Sequence, residues 1–201
     1  MRVLIAGATG NTGQRLTHIL TERGHTPVAL VREGSDIEPL PVGTETFRAD
    51  LTELPEDVCD GFDGVIFAAG SGSSTGPDAT EAVDRDGART LVDRAAAAGV
   101  KRFVMLSSIG AGDPPQDGQL SHYLEAKHQA DEHLKASGLT YTIVRPVALT
   151  DEDATGRVRI GELVDTGGKA ARGDVATVLA DALDLDDWGD TVLDMDTRPA
   201  A

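Results

Sequence analysis

A single cysteine, Cys59, stands among the 201 residues, so an intrachain disulfide and a thiolate metal cluster are both excluded. Aromatic residues are nearly as scarce, at 3%. Any core must therefore be built mostly from Val, Leu, Ile and Ala. Positive charge is outweighed: 18 Lys and Arg face 34 Asp and Glu, a formal charge of -16. Such a field repels nucleic acid and anionic membranes, which excludes both as partners. No apolar run approaches the roughly 18–20 residues of a membrane span. The run inside MRVLIAGATG is too short for a signal-peptide core. The expectation is a soluble, cytoplasmic protein.

What the chain does have is acid and glycine. Aspartate outnumbers glutamate 23 to 11, and arginine outnumbers lysine 14 to 4. An acidic, lysine-poor surface stays hydrated in strong salt, where screening tames self-repulsion. A halophilic source is one reading of this bias; a GC-rich genome is the other. The 23 glycines imply tight turns and close backbone approaches. The length suits one domain.

Short apolar runs alternate with helical patterns along the chain. Arg2 to Ala6 reads as a strand buried on both faces, and Leu16, Ile19 and Leu20 give Asn11 to Arg23 helical spacing. Further strands are expected at 27–31, 44–49, 64–68, 102–106, 140–145 and 191–195. Helices are expected at 78–98, 120–137 and 173–185, the last capped by Asp174. This alternation predicts a single α/β domain over residues 1–201. It would be a Rossmann-type doubly wound parallel sheet with helices on both faces, ordered 3-2-1-4-5-6 with a seventh strand at the edge. Ser71 to Asp78 and Gly110 to Gln119 are loop-like and follow strand ends, where ligand loops of open α/β sheets lie.

The strongest chemical signal is Gly7-Ala8-Thr9-Gly10-Asn11-Thr12-Gly13, between the first strand and the first helix. Glycine permits both a tight turn and a close approach of backbone to pyrophosphate. The helix N-terminus then offers unpaired N–H groups and the positive end of its dipole. The pattern is G-x-x-G-x-x-G in the strand–turn–helix context that dinucleotide binding requires.

GATGNTG resembles the short-chain dehydrogenase/reductase superfamily in its extended and atypical branches. Further matches follow in order: Ala68-Ala69-Gly70, Val83-Asp84-Arg85-Asp86-Gly87, Leu106-Ser107-Ser108, Tyr123-Leu124-Glu125-Ala126-Lys127, Val144-Arg145-Pro146 and Asp174-Val175-Ala176. The nearest likeness is to the NAD(P)H-binding, NmrA-like atypical group, and it covers nearly the whole chain. It implies a site in which Ser108, Tyr123 and Lys127 are catalytic. Tyr123 and Lys127 are four apart and share one helix face, and a nearby ammonium eases proton exchange by a phenol. Ser108 would hydrogen-bond the substrate oxygen, and Lys127 would also hold the nicotinamide ribose. The cofactor-binding set would comprise Gly7, Thr9, Gly10, Asn11, Thr12, Gly13, Arg32, Asp50, Leu51, Ala68, Ala69, Gly70, Lys127, Pro146 and Val147.

Two positions depart from the superfamily pattern. Asp84 stands where an Asn often completes the proton relay, and Val147 follows Pro146 where glycine is common. Arg32, immediately after Val31, sits where a cation would pair with a 2′-phosphate, so NADP is expected over NAD, with Arg15 on the first helix assisting. Asp50 resembles the residue that contacts the adenine amino group. The five histidines include no i, i+4 pair, so no metal is expected. Cys59 reads as a small packed residue and Trp188 as an anchor for the C-terminal part.

Only about 55 residues follow Pro146, so the expected substrate lid is small: residues 151–173 at most, plus the Ser71–Asp78 and Gly110–Gln119 loops. The expected ligand is a small molecule and the expected assembly a monomer or homodimer. Three functions remain open: an NADP-dependent oxidoreductase acting on a small carbonyl, alcohol or quinone-like compound; a non-catalytic NADP(H)-binding sensor or assembly factor; and an epimerase or dehydratase.

Overall fold

In the computed structural model, which describes residues 1–70 and 76–199, Arg2–Ala6 (β1) lies at the centre of an eight-stranded sheet. Its side chains alternate between two cores, as the two-residue period of a strand dictates. Val3 and Ile5 pack with Leu16 and Leu20 of α1 (Asn11–Glu22) and with Val175 and Leu179 of α5 (Arg172–Asp184). Leu4 and Ala6 face the other way, toward Leu91 of α3 (Ala88–Ala97) and Leu134 of α4 (Ser121–Ala136). Phe67 and Phe103 supply the bulk of that second core, and Cys59 is buried within it.

Parallel to β1 run β2 (Thr26–Val31), β3 (Glu45–Arg48), β4 (Gly64–Phe67), β5 (Arg102–Leu106) and β6 (Tyr141–Pro146). The chain then adds β7 (Ala148–Thr150), β8 (Val158–Ile160), β9 (Lys169–Ala171) and β10 (Thr191–Thr197). Sheet order is β3-β2-β1-β4-β5-β6-β10-β8. The order 3-2-1-4-5-6 therefore holds, but the seventh strand is not the edge. β10 pairs parallel with β6 on one side and antiparallel with β8 on the other. Val158–Ile160 alternates apolar and polar, but three residues are too few for a period to show.

The helix expected from residue 78 opens with α2 (Pro77–Thr80), widens into a π-helical stretch (Glu81–Gly87) and continues as α3. Residues 71–75 of the expected Ser71–Asp78 loop lie outside the described residues. Asp174 does not cap α5. The N-cap position is Ala171, and the Asp174 carboxylate accepts the N–H groups of Thr155 and Gly156 at 2.8 and 2.9 Å and the hydroxyls of Thr155 and Thr197. Residues 151–173 are thereby sewn to the body: β7 pairs with β9 in a small sheet of its own, and Gly173 is packed against Ala154. No helix among the described residues is long and apolar enough to cross a membrane.

Candidate active site

The C-terminal ends of the central strands open onto a cleft of about 1010 Å³. The turn after β1 forms one wall. Gly7 adopts a left-handed conformation (φ 85°), and a Cβ there would lie 2.5 Å from the Ala69 nitrogen. A Cβ on Gly13 would lie 2.0 Å from the Gly7 carbonyl oxygen. Both glycines are thus demanded by the packing of the turn against helix and sheet. Gly10 is not. Its backbone is extended, and its nearest Cβ neighbour would be the Gly7 oxygen at 3.4 Å, an ordinary contact. Gly10 borders the cleft at the N-terminus of α1, which has neither a side-chain cap nor an acidic residue in its first turn. The protein itself leaves that space open, and an anion at the helix end would use it. The residues present therefore fit a dinucleotide pyrophosphate.

The cleft brings together Gly7, Thr9, Gly10, Asn11, Thr12, Arg32, Asp50, Leu51, Ala68, Ala69, Gly70, Tyr123 and Lys127. Four expected residues do not line it. Gly13 lies beneath the turn; Ser108 directs its hydroxyl to the Ile109 carbonyl at 3.3 Å; Pro146 ends β6; Val147 is buried and donates its N–H to Met195. Arg15 is engaged elsewhere, with the carbonyls of Asn11 and Asp151.

Next to Arg32 a smaller hollow of about 500 Å³ is bordered by Ser35, Arg48 and Asp50. Arg48 was invisible to the sequence reading because only the β2–β3 pairing sets Val31 opposite it. The Thr52 N–H and hydroxyl hold the Asp50 carboxyl below its ordinary value, and the Arg32 guanidinium adds to this against a small opposing effect of burial.

At the other end, α4 presents Tyr123 and Lys127. The Lys127 ammonium is buried, 2.9 Å from Asp84 Oδ1, and donates to the Leu106 carbonyl at 3.3 Å. It lies 5.8 Å from the Tyr123 ring centre and 5.6 Å from that of Phe67. Burial pulls this ammonium toward neutrality, but Tyr123, Asp84 and Asp131 together outweigh it and leave its pKa raised. Below it, Asp131 accepts the Ser107 hydroxyl at 2.8 Å and the Arg145 guanidinium at 2.8 and 3.0 Å. Burial pushes the Asp131 carboxyl up, and Arg145, Ser107 and Lys127 counter this only in part. Sequence reasoning chose Ser108 from the Ser-Ser pair, whereas Ser107 is the one that borders the cleft. Alternation along β5 cannot decide between them, because both lie beyond its last residue, Leu106.

Comparison with known proteins is consistent across most of the chain. The model of the NAD(P)H-binding family matches residues 7–186. The uncharacterized sugar epimerase YhfK of Bacillus subtilis (strain 168) is 41% identical over 190 residues, covering 92% of this chain and 88% of that protein. A Bacillus halodurans structure, provisionally described as an NAD-dependent epimerase/dehydratase, superposes with TM-score 0.92 at 37% identity, covering 100% of this chain and 95% of the other. The oxidoreductase ylbE from Lactococcus lactis superposes with TM-score 0.85 at 31% identity, covering 100% and 93%.

Proposed function

The chain belongs to the NAD(P)H-binding family, with the atypical NmrA-like short-chain dehydrogenase/reductase fold, and from that premise we propose that it is an NADP-dependent oxidoreductase acting on a small carbonyl, alcohol or quinone-like compound. One observation carries this reading. Tyr123 and Lys127 border the same cleft as the glycine turn, so an acid/base group and a dinucleotide site share one space.

The residues divide the work by position. The backbone from Gly10 to Thr12 receives the pyrophosphate at the helix end. Arg32, with Arg48 across the small hollow, receives the 2′-phosphate. Asp50 and Leu51 flank the adenine, and Ala68 to Gly70 leave room along the dinucleotide. Lys127 holds the nicotinamide ribose. The nicotinamide supplies hydride chemistry when bound. Tyr123 holds the proton that the substrate oxygen gains or loses. Exposed Leu120 and Leu149 border the cleft and favour an apolar substrate body. Residues 151–173 serve as a small substrate-side cover.

A second reading, a non-catalytic NADP(H) sensor, draws on the Asp84–Lys127 ion pair, which occupies the ammonium that would otherwise act on Tyr123 alone. NADPH oxidation over a panel of carbonyls and quinones separates the two. Tyr123→Phe should lower turnover by about 100- to 10,000-fold while NADPH binding persists. Tight NADPH binding without turnover of any compound selects the sensor. Wild-type rates in Tyr123→Phe remove this tyrosine from the chemistry.

A further inference from the structure

A buried ammonium without a counter-charge gives up its proton readily. Lys127 is a buried ammonium that does have a counter-charge, Asp84, at a position where the superfamily often carries a neutral Asn. Three features bring Asp84 to it. The backbone from Glu81 to Gly87 is π-helical, which widens the turn and re-aims the side chains along it. Gly87 lets this stretch lie against Leu51; a Cβ there would meet the Leu51 carbonyl oxygen at 3.0 Å. Gly70 leaves room for the carboxylate; a Cβ there would come within 3.3 Å of Asp84 Oδ1.

We propose that Asp84 is a positioning residue for Lys127: it keeps the ammonium charged and aimed into the cleft, so that the hold on the cofactor's ribose persists into alkaline solution. The proposal rests on the reading of Lys127 as the ribose-holding residue.

The groups facing the ammonium can be named. α4 contributes Tyr123 and Asp131. Asp131 is already engaged by Arg145 from β6 and by Ser107. β5 offers the neutral Leu106 carbonyl and β4 the Phe67 ring. The π-helical stretch offers Asp84, the acid that contacts Nζ directly. A ribose hydroxyl is neutral and cannot replace that charge. With Asp84 neutralised, burial loses its directly bonded opponent, and Lys127 would give up its proton at lower pH than in the wild type.

The test is NADPH affinity of the full chain, measured by fluorescence titration from pH 7.5 to 10, above the ordinary histidine range. Wild type should be flat across this window. Lys127→Met should be about 10- to 100-fold weaker, the usual weight of a charge-assisted hydrogen bond, and also flat. Asp84→Asn should bind nearly as wild type at pH 7.5 and fall toward the Lys127→Met level as pH rises. An Asp84→Asn curve parallel to wild type, with Lys127→Met weak, overturns the role of Asp84 alone. Lys127→Met binding as tightly as wild type overturns the ribose reading and this proposal with it. Where Asp84→Asn is too unstable to purify, Asp84→Glu carries the test. It keeps the charge and displaces it, so its affinity should be weaker at every pH but flat. A Glu variant whose affinity falls across the window overturns the proposal.

Discussion

Gly10 and Gly13 lie three residues apart and should respond oppositely to a side chain. At Gly10 the backbone is extended and the nearest atom to a new Cβ is 3.4 Å away. Gly10→Val loses a favourable N-cap glycine, about 0.5–1 kcal/mol, and regains about 0.4–1 kcal/mol from a less flexible unfolded chain. The net change is within about 1 kcal/mol, or about 2–4 °C in Tm for a chain of this length. NADPH affinity should nonetheless fall by about 100-fold or more, as expected for losing two charge-assisted hydrogen bonds from the turn. At Gly13 a Cβ would lie 2.0 Å from the Gly7 oxygen and 2.7 Å from the Ala8 Cα, both backbone atoms. Gly13→Ala must therefore push the turn off the helix. The cost should reach the upper end of overpacking, about 3 kcal/mol, a Tm fall of about 6–12 °C. Thermal unfolding and NADPH titration of the two variants provide the assay. If Gly10→Val binds NADPH like wild type, the turn is a structural bend and no pyrophosphate rests on it. If Gly13→Ala melts with wild type, the close approach of helix to turn is mistaken.

Arg32→Ala should abolish a preference of about tenfold or more for NADPH over NADH, and rising salt should narrow that preference in the wild type because Arg32 is exposed; equal wild-type affinities would refute the assignment. The Cys59 thiol, pushed up to about 12 chiefly by burial, should resist a thiol reagent at pH 8 in the native protein and react at once in denaturant. Asp196 is held below its ordinary value by its hydrogen bonds from Arg159, against opposing burial. Its stabilising contribution is complete above the ordinary carboxylate pKa and disappears as pH falls through the lower folded value. Arg159→Ala should therefore move the acid-unfolding midpoint to higher pH, and an unchanged midpoint would show the pair to be idle.

Strands with apolar side chains on both faces announced themselves, because burial on two sides leaves no polar interruption: Arg2–Ala6 and Arg102–Leu106 have the bounds that hydrophobicity alone predicts. The C-terminal third was less legible. β7, β8 and β9 have three residues each, too short to carry a period, and their pairing depends on partners distant in sequence. Asp174 looked like a cap because its position just inside α5 is where caps occur, yet its carboxylate is taken by Thr155, Gly156 and Thr197. In the cleft, the glycine turn and the Tyr123–Lys127 pair were readable from local spacing. The Asp84–Lys127 and Asp131–Arg145 pairs were not, since each joins elements that only the folded sheet brings together.

The π-helical stretch of Glu81–Gly87 has a consequence for helical phase. A π turn closes i→i+5 where an α turn closes i→i+4, so the stretch holds one residue more than a continuous α-helix would need between its flanks. Removing one exposed residue there, such as Asp86, would let α2 and α3 join as an ordinary helix with their outer ends in place. With those ends fixed, the side chains inside the stretch would be re-aimed by up to about 100°, the rotation of one residue. Asp84 would then swing off Lys127 although every residue proposed to act on substrate or cofactor remained in the chain. Spacing, as much as residue identity, is thus what this helix contributes to the cleft.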